Sequence, residues 1–394
     1  MTKYIMLTLL MLLEIKIALS IETNSAKYLK IPFSDEYSIP TINTFYKDFK
    51  IDTILDNNLN FNYFSTKNFD LKELSYQINA DKIIINNTEY NAYYYLGTIS
   101  IYDEKDYIKL SNVNSFVIDD KSMLSSIMIS YLLNQLKEKG YIEKQIFYLD
   151  INHKQCFFGE LPKNSDEYNK IFNDNFTHSF SYSIETKGVF KDKLYNFYID
   201  NGLFSVDKNI SYNINEKYSY IPYSLMSEIM QDKVIQNLNC EIFLIDPRGS
   251  HAIKCHKKNL NQLPPFFFVF DNYTISIPSR LLFEEYDENY YVSSIRTKMN
   301  IQYLSDKEEK KEENNEDEWI FGYSFLKYFN YTIFNYDERS INFYSDSFIR
   351  MYPPKINRKL YKNIFYVLNI ILGLSSILLF LIRIQIRRIP LEAS

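Results

Sequence analysis

The chain has 394 residues, of which 46% are hydrophobic and 24% are charged, and its formal net charge is −5. This length is too great for one ordinary hydrophobic core and suits two lobes. The acidic balance lacks the basic field that holds nucleic acid, so it excludes a nucleic-acid partner.

The first twenty residues have the pattern of a secretory leader. Lys3 supplies a positive end, residues 4–13 form an apolar run, and Ala18 and Ser20 are small residues at the spacing that signal peptidase recognises. Ten apolar residues are too few to span a bilayer core of ~30 Å at 1.5 Å per residue. We therefore predict a signal peptide over residues 1–20.

The body of the chain predicts an all-β protein with a few short helices. Runs rich in Tyr, Ile, Phe and Val recur between polar turns, and they predict strands at residues 82–85, 92–102, 145–151, 266–270 and 331–335. Two stretches have helical character instead: residues 122–139, which end before Gly140, and residues 224–230. Residues 305–318 form a charged run that predicts a solvated loop insertion.

The C-terminal part predicts a membrane anchor. Residues 364–382 contain no charge and are long enough to span the hydrocarbon core, and basic residues lie on both sides. Because the signal peptide fixes the orientation, we predict a single-pass type I protein of the secretory pathway or cell surface, with its body lumenal or extracellular and residues 383–394 in the cytosol. Five N-x-S/T sequons suit a lumenal body and predict glycosylation at Asn86, Asn175, Asn209, Asn272 and Asn330.

Several kinds of chemistry lack their motifs. The four His are scattered, there is no C-x-x-C and no G-x-S-x-G, and only 8 Gly are present. We therefore expect no metal site and no cofactor.

A specific pattern stands in the last third of the chain. Trp-Ile-Phe-Gly at 319–322 is followed by Tyr-Ser-Phe-Leu at 323–326 and Tyr-Thr-Ile-Phe-Asn at 331–335. Together with Cys-Phe-Phe-Gly at 156–159 and Leu263-Pro264 after Cys255, it resembles the pepsin-like aspartic proteases, the plasmepsins among them. The resemblance implies a bilobal pepsin-like fold with an N-terminal lobe at 21–160 and a C-terminal lobe at 161–348. It also implies a peptide or protein ligand in the cleft between the lobes.

This family works with two carboxylates that share a proton, one in a D-T-G turn of each lobe. In the first lobe, Asp56-Asn57-Asn58 takes the place of D-T-G, and Tyr63 then falls where the family has a Trp. An alternative alignment uses Asp52-Thr53-Ile54. We prefer Asp56, because Asn tolerates left-handed backbone better than Ile does.

In the second lobe the family's Pro comes nine residues after its Asp. Counting back from Pro222 gives Asn213, followed by Ile214 and Asn215. The alternative is Asp200, in Asp200-Asn201-Gly202. The family also places an apolar-apolar-Gly strand beneath each loop: residues 319–322 keep it, whereas residues 116–119, assigned to this place in the first lobe, lack the Gly.

Two further predictions follow from the resemblance. Tyr76 takes the place of the flap tyrosine that closes over substrate, and the alternative is an ordinary strand tyrosine. Cys255 takes a family cysteine position whose usual partner is missing, so we predict a disulfide with the nearby Cys240, which leaves Cys156 free.

Three functions stay open on this sequence. The first is a catalytically dead or impaired pseudoprotease that binds peptide or protein on a membrane, favoured because both D-T-G turns are lost. The second is an active aspartic endopeptidase with divergent catalytic loops. The third is an all-β surface antigen or adhesin, which the Trp-Ile-Phe-Gly signature disfavours.

Overall fold

The computed structural model describes most of the body of the chain. Its residues are 27–46, 49–57, 62–65, 81–85, 88–103, 106–118, 120, 124–172, 177–182, 184–186, 189–199, 202–246, 250–270, 273–297, 319–345 and 350–352. The predicted signal peptide, the charged run at 305–318, the predicted anchor at 364–382 and Tyr76 lie outside these residues. None of the described helices is long and apolar enough to cross a membrane.

Strands dominate the described residues, as the sequence predicts. In chain order they are β1 Tyr28–Ser34, β2 Thr41–Tyr46, β3 Phe49–Asp56, β4 Asn62–Ser65, β5 Asp81–Ile85, β6 Thr88–Asp103, β7 Asp106–Ile118, β8 Ser125–Met128, β9 Ile146–Asp150, β10 Gln155–Gly159, β11 Thr177–Tyr182, β12 Ile184–Thr186, β13 Val189–Ile199, β14 Gly202–Tyr212, β15 Ser219–Ile221, β16 Glu241–Asp246, β17 Ser250–His256, β18 Phe266–Phe270, β19 Thr274–Ile277, β20 Phe283–Glu285, β21 Tyr290–Thr297, β22 Trp319–Phe321, β23 Tyr331–Asn335, β24 Ser340–Ser345 and β25 Arg350–Tyr352.

The helices are short and lie between strands. They are α1 Ile129–Glu138, α2 Asp166–Ile171, α3 Tyr223–Gln231, α4 Lys233–Asn237, α5 Lys257–Leu260 and α6 Tyr323–Leu326, with one 3-10 turn at Ser279–Leu282. The helix predicted at 224–230 is confirmed as α3. The helix predicted at 122–139 is wrong at its start, because Ser125–Met128 pairs as a strand with β3 and α1 begins only at Ile129.

The described strands form two sheets. The first runs in the order β11-β24-β23-β9-β10-β1-β2-β3-β8-β4-β7-β6-β5, and the second in the order β16-β17-β21-β15-β22-β14-β13-β18-β19-β25. The first sheet mixes the two halves of the chain, because β23 lies beside β9 and pairs Ile333 with Tyr148. Both sheets belong to one compact unit that extends through Met351.

Alternating and continuous apolar runs explain these strands. In β18 every second residue is buried, whereas all five residues of β9 are buried. A strand with one solvated face alternates in this way, and a strand covered on both faces does not. α1 buries Ile129, Leu132, Leu133 and Leu136, which share one helical face.

The cysteines pair as predicted. Cys240 and Cys255 form a disulfide that links positions 15 residues apart. Cys255 lies in β17 opposite Tyr291 of β21, and its disulfide partner Cys240 directly precedes β16. Cys156 is free and fully buried in β10, and burial raises the pKa of its thiol well above its usual range.

Loss of this disulfide is expected to weaken the second lobe. A bond that closes a loop of this size contributes about 3 kcal/mol, mainly by restricting the unfolded chain. The double variant Cys240→Ser/Cys255→Ser should therefore unfold at lower urea than the parent chain. Cys156→Ser leaves the disulfide intact and shows the effect of a Cys-to-Ser change at a buried thiol. If the double variant were as stable as the parent chain, the expected contribution of the disulfide would be absent.

Candidate functional site

In the first lobe, Asp56 is the last residue of a strand that pairs with a parallel strand. β3 runs parallel to β8, and its last residue, Asp56, pairs with Met128. β4 crosses antiparallel to β8, with Tyr63 opposite Ser126. The backbone N–H of Met128 donates to Asn62 Oδ1 at 2.8 Å.

The second lobe repeats this arrangement around Asn213. β14 runs parallel to β22 as far as the pair Tyr212 and Phe321, so Asn213 stands level with Gly322. β15 crosses antiparallel to β22, with Tyr220 opposite Ile320. The N–H of Gly322 donates to the Ser219 hydroxyl at 3.2 Å, as Met128 donates to Asn62 in the first lobe.

The two lobes therefore carry Asp56 and Asn213 at equivalent positions. The chain runs seven residues from Asp56 to Tyr63 and seven from Asn213 to Tyr220, and both tyrosines cross the central strand at the same point. Asp52 lies elsewhere, within β3, where it accepts a hydrogen bond from Tyr37 at 3.4 Å. Asp200 lies outside the described residues.

One assignment in the first lobe is wrong. Residues 116–118 belong to β7, which pairs with β4, so they do not lie beneath the Asp56 loop. That place is taken by β8, where Met128 corresponds to Gly322. The error arises because the end of β7 is an apolar run like the one expected there, and only its pairing with β4 shows that it lies elsewhere.

A buried amide joins the two loops. Asn57 Nδ2 donates to the carbonyl oxygen of Tyr212 at 2.7 Å, and the N–H of Ile214 donates to Asn57 Oδ1 at 3.0 Å. Asn57 is 3% exposed, so water does not compete for these bonds. Because an amide has both a donor and an acceptor, Asn57 can bind both sides of the opposite loop with one side chain.

A second cross-lobe contact occupies Asp56 itself. Asn215 Nδ2 donates to Asp56 Oδ2 at 2.5 Å, and the Asp56 carboxylate is 1% exposed. A carboxylate buried to this degree needs donors around it, and the amide of Asn215 is one of them. The opposite loop thus places a neutral amide, which does not exchange a proton, against the Asp56 carboxylate.

Asn213 points its side-chain oxygen back to its own loop. The N–H of Asn215 donates to Asn213 Oδ1 at 3.0 Å, and the N–H of Asn213 donates to the Phe321 carbonyl at 2.9 Å. An amide neither takes up nor gives a proton under ordinary conditions. Of the residues at these equivalent positions, only Asp56 is therefore able to act in acid–base chemistry.

A buried polar cluster supports the strand that leads to Asn213. The Tyr273 hydroxyl donates to Asp192 Oδ2 at 2.8 Å, and the Tyr212 hydroxyl lies 3.4 Å from the same oxygen. All three side chains are buried. Nothing in the sequence marks this cluster, because Tyr273 comes from a segment 81 residues after Asp192.

The other predicted site residues divide in two groups. Of the sequons, Asn209 is exposed in β14 and Asn330 is half-buried before β23. Asn86, Asn175 and Asn272 lie outside the described residues, as does Tyr76. Glycosylation and the role of Tyr76 stay predictions.

We expect Asn57→Ala to destabilise the fold by roughly 2–4 kcal/mol, because it leaves the buried Tyr212 carbonyl and the Ile214 N–H without their partner. Urea unfolding measures the change. Asn261→Ala is the matched control, since Asn261 is exposed. Equal unfolding midpoints for the two variants would contradict a cross-lobe role for Asn57.

Comparison with known proteins gives the fold. The sequence matches no family model and no curated protein. Among solved structures, the chain is similar to the aspartic proteinase from Irpex lacteus, with a TM-score of 0.56, 8% identity and coverage of 82% of this chain and 98% of that chain.

Two seed globulins have the same fold. Conglutin gamma, a basic 7S globulin from lupine seeds, matches with a TM-score of 0.60, 11% identity and coverage of 82% of this chain and 96% of that chain. The basic 7S globulin from soybean matches with a TM-score of 0.59, 11% identity and coverage of 82% and 97%. The expected pepsin-like architecture is confirmed by these matches, which at such low identity show the fold alone.

Proposed function

We propose that this chain is a membrane-anchored pseudoprotease of the pepsin-like fold, which binds a peptide or protein segment between its lobes without cleaving it. The observation that carries the proposal is the pair of amides at the centre of the site. Asn213 stands at the position equivalent to Asp56, and the amide of Asn215 binds the Asp56 carboxylate. A single carboxylate of this kind lacks the second titrating group on which the family's chemistry depends.

The fold itself is compatible with either a binding or a catalytic role. Two of the three similar structures carry the name globulin and one carries the name aspartic proteinase. Function therefore has to be argued from the site. The alternative function, an active aspartic endopeptidase, is favoured by one observation, which is that the buried carboxylate of Asp56 is retained.

A defined peptide library separates these functions. The full-length chain in detergent micelles is incubated with synthetic peptides of mixed sequence. The bound peptides are then eluted, and their masses are measured by mass spectrometry. Recovery of intact peptides supports a binding protein. Recovery of shortened peptides supports an endopeptidase, and the absence of bound or shortened peptides would contradict both. Asp56→Asn keeps the size of the side chain and removes its charge. Any cleavage that depends on this carboxylate should be lost in this variant, whereas cleavage from another source should remain.

The proposed topology places the two lobes in the secretory pathway or outside the cell. A signal peptide at 1–20 and a membrane helix at 364–382 leave only residues 383–394 in the cytosol. Protease added to intact microsomes that hold the translocated chain is therefore expected to remove only a small C-terminal tail. Detergent-opened microsomes are the control. Cleavage within residues 305–318 in the intact microsomes would contradict this orientation.

A further inference from the structure

Two basic side chains lie on one tyrosine ring beside the candidate site. Arg296 Cζ is 3.1 Å from the centre of the Tyr218 ring, and Lys217 Nζ is 4.9 Å from the same point. All three side chains are partly exposed. The face of an aromatic ring attracts cations, so this ring holds two positive charges close together.

The backbone around this cluster is well fixed. Arg296 lies in β21, where it pairs with Tyr220 of the neighbouring β15. The carbonyl of Lys217 accepts the N–H of Ser324 at 3.1 Å. The cluster is also linked to the site along the chain, because Lys217 comes two residues after Asn215, whose amide binds the Asp56 carboxylate.

These two cations differ from the other described cations that stack on aromatic rings. Each of the others also has a carboxylate partner: Lys193 with Asp207, Lys254 with Glu241, Lys257 with Glu285, and Lys327 with Glu284. Among the residues that the structure describes, neither Arg296 nor Lys217 has an ion pair with a carboxylate. In addition, Arg296 Nε is buried and makes no hydrogen bond there.

The cluster therefore carries two positive charges that form no ion pair with a carboxylate among the described residues. A guanidinium offers a planar fork of N–H donors that matches a carboxylate or a phosphate, and an ammonium adds a second positive charge. The whole chain has a formal net charge of −5, so general attraction does not bring an acidic ligand to it. A local cluster of cations supplies an attraction for anions that the net charge does not.

We infer that Arg296, Lys217 and Tyr218 form a recognition site for an anionic group of the bound peptide, either an Asp or Glu carboxylate or a phosphate. The inference rests on the proposed peptide-binding function and adds a ligand class to it. Peptides with an acidic residue are selected over the same peptides with the neutral amide.

Three labelled versions of one peptide recovered from the library test this site. They carry Glu, Gln or phosphoserine at the same position, and their binding to the full-length chain in micelles is measured by fluorescence anisotropy. We expect the Glu peptide to bind at least several-fold more tightly than the Gln peptide, and added salt to reduce this difference. Tighter binding of the phosphoserine peptide than of the Glu peptide identifies phosphate as the preferred anion.

Variants then assign the effect to the cluster. Arg296→Ala should weaken binding of the Glu peptide roughly 10- to 100-fold, because charge-assisted hydrogen bonds are lost, and should leave the Gln peptide unchanged. Arg296→Lys keeps the positive charge but loses the planar fork of N–H donors. Its affinity for the Glu peptide should therefore lie between those of the parent chain and of Arg296→Ala. Lys217→Ala, which changes a partly exposed residue, should weaken binding of the Glu peptide several-fold. Arg280→Ala is the control, because it removes the same charge from an exposed position.

The outcomes separate the two proposals. If no library peptide binds the parent chain, the proposed function fails. If peptides bind but the Glu and Gln versions bind equally, the anion site is refuted while peptide binding stands. If Arg296→Ala lost binding of the Glu and Gln peptides equally and melted at a lower temperature, Arg296 would have a role in folding. This result would also refute the anion site.

Discussion

The full-length chain, assayed across the acid pH range, is expected to show no peptidase activity above background and no response to pepstatin. Two carboxylates a few ångströms apart cannot both ionise easily, and this property lets one act as base while the other acts as acid. Asn213 holds an amide at the position that needs the second carboxylate. General acid–base catalysis contributes roughly 10²–10⁴-fold, and the pair supplies both halves of it.

Restoring one carboxylate is not expected to restore activity. In Asn213→Asp, Ile214 still lacks a hydroxyl and Asn215 still places its amide on Asp56 Oδ2. The new carboxylate would therefore face an Asp56 that is already bound by a neutral side chain. Asp56→Asn in the same background is the control for any trace of turnover.

Strong cleavage by the natural sequence would contradict this expectation. If that cleavage were lost in Asp200→Ala and retained in Asn213→Ala, the second carboxylate would be Asp200. If it were lost in Asp56→Asn alone, Asp56 would act with a partner other than Asn213. Either result would make the chain a working endopeptidase.

The sequence predicts the strands of the last third well. The strands expected at 266–270 and 331–335 appear with the same bounds, because each is a compact aromatic run between polar turns. The start of α1 is not predictable in this way. Ile127 and Met128 continue into the apolar start of the helix that follows, and the pairing of Ser125–Met128 with β3 makes this segment a strand. Local pattern cannot reveal a partner about seventy residues away in the chain.

The sequence carries no signal of the contacts within the candidate site. The spacing from Pro222 predicts Asn213 as the counterpart of Asp56, and the two residues follow or end equivalent parallel strand pairs. The contact of the Asn57 amide is not predictable in this way, because it binds a carbonyl 155 residues further along the chain. Asn215 reaches Asp56 over 159 residues. Such contacts depend on how the two lobes approach each other, and a single sequence carries no direct signal of that approach.

Gly322→Ala is expected to destabilise the second lobe by about 3–5 kcal/mol, which is large for one methyl group. A Cβ at Gly322 would lie 2.2 Å from the Tyr218 carbonyl oxygen and 2.5 Å from that of Glu216. Both contacts are with backbone, so no side chain can rotate away. The same carbonyl of Glu216 accepts the N–H of Tyr323 at 2.7 Å, which holds the loop against the glycine.

Variants at two other positions serve as matched comparisons for Gly322→Ala. Urea unfolding measures the free energy of unfolding of all three variants. Gly140→Ala adds the same methyl group where nothing lies within 4 Å, but the φ of +72° is left-handed and costs about 1–2 kcal/mol. Met128→Ala changes the equivalent position of the first lobe, where a side chain is already accommodated. A loss in Gly322→Ala no larger than that in Gly140→Ala would mean that the loop moves away at little cost. The close approach at Gly322 would then not fix the loop that carries Asn213 and Asn215, and the cross-lobe amide contacts would have to hold that loop instead.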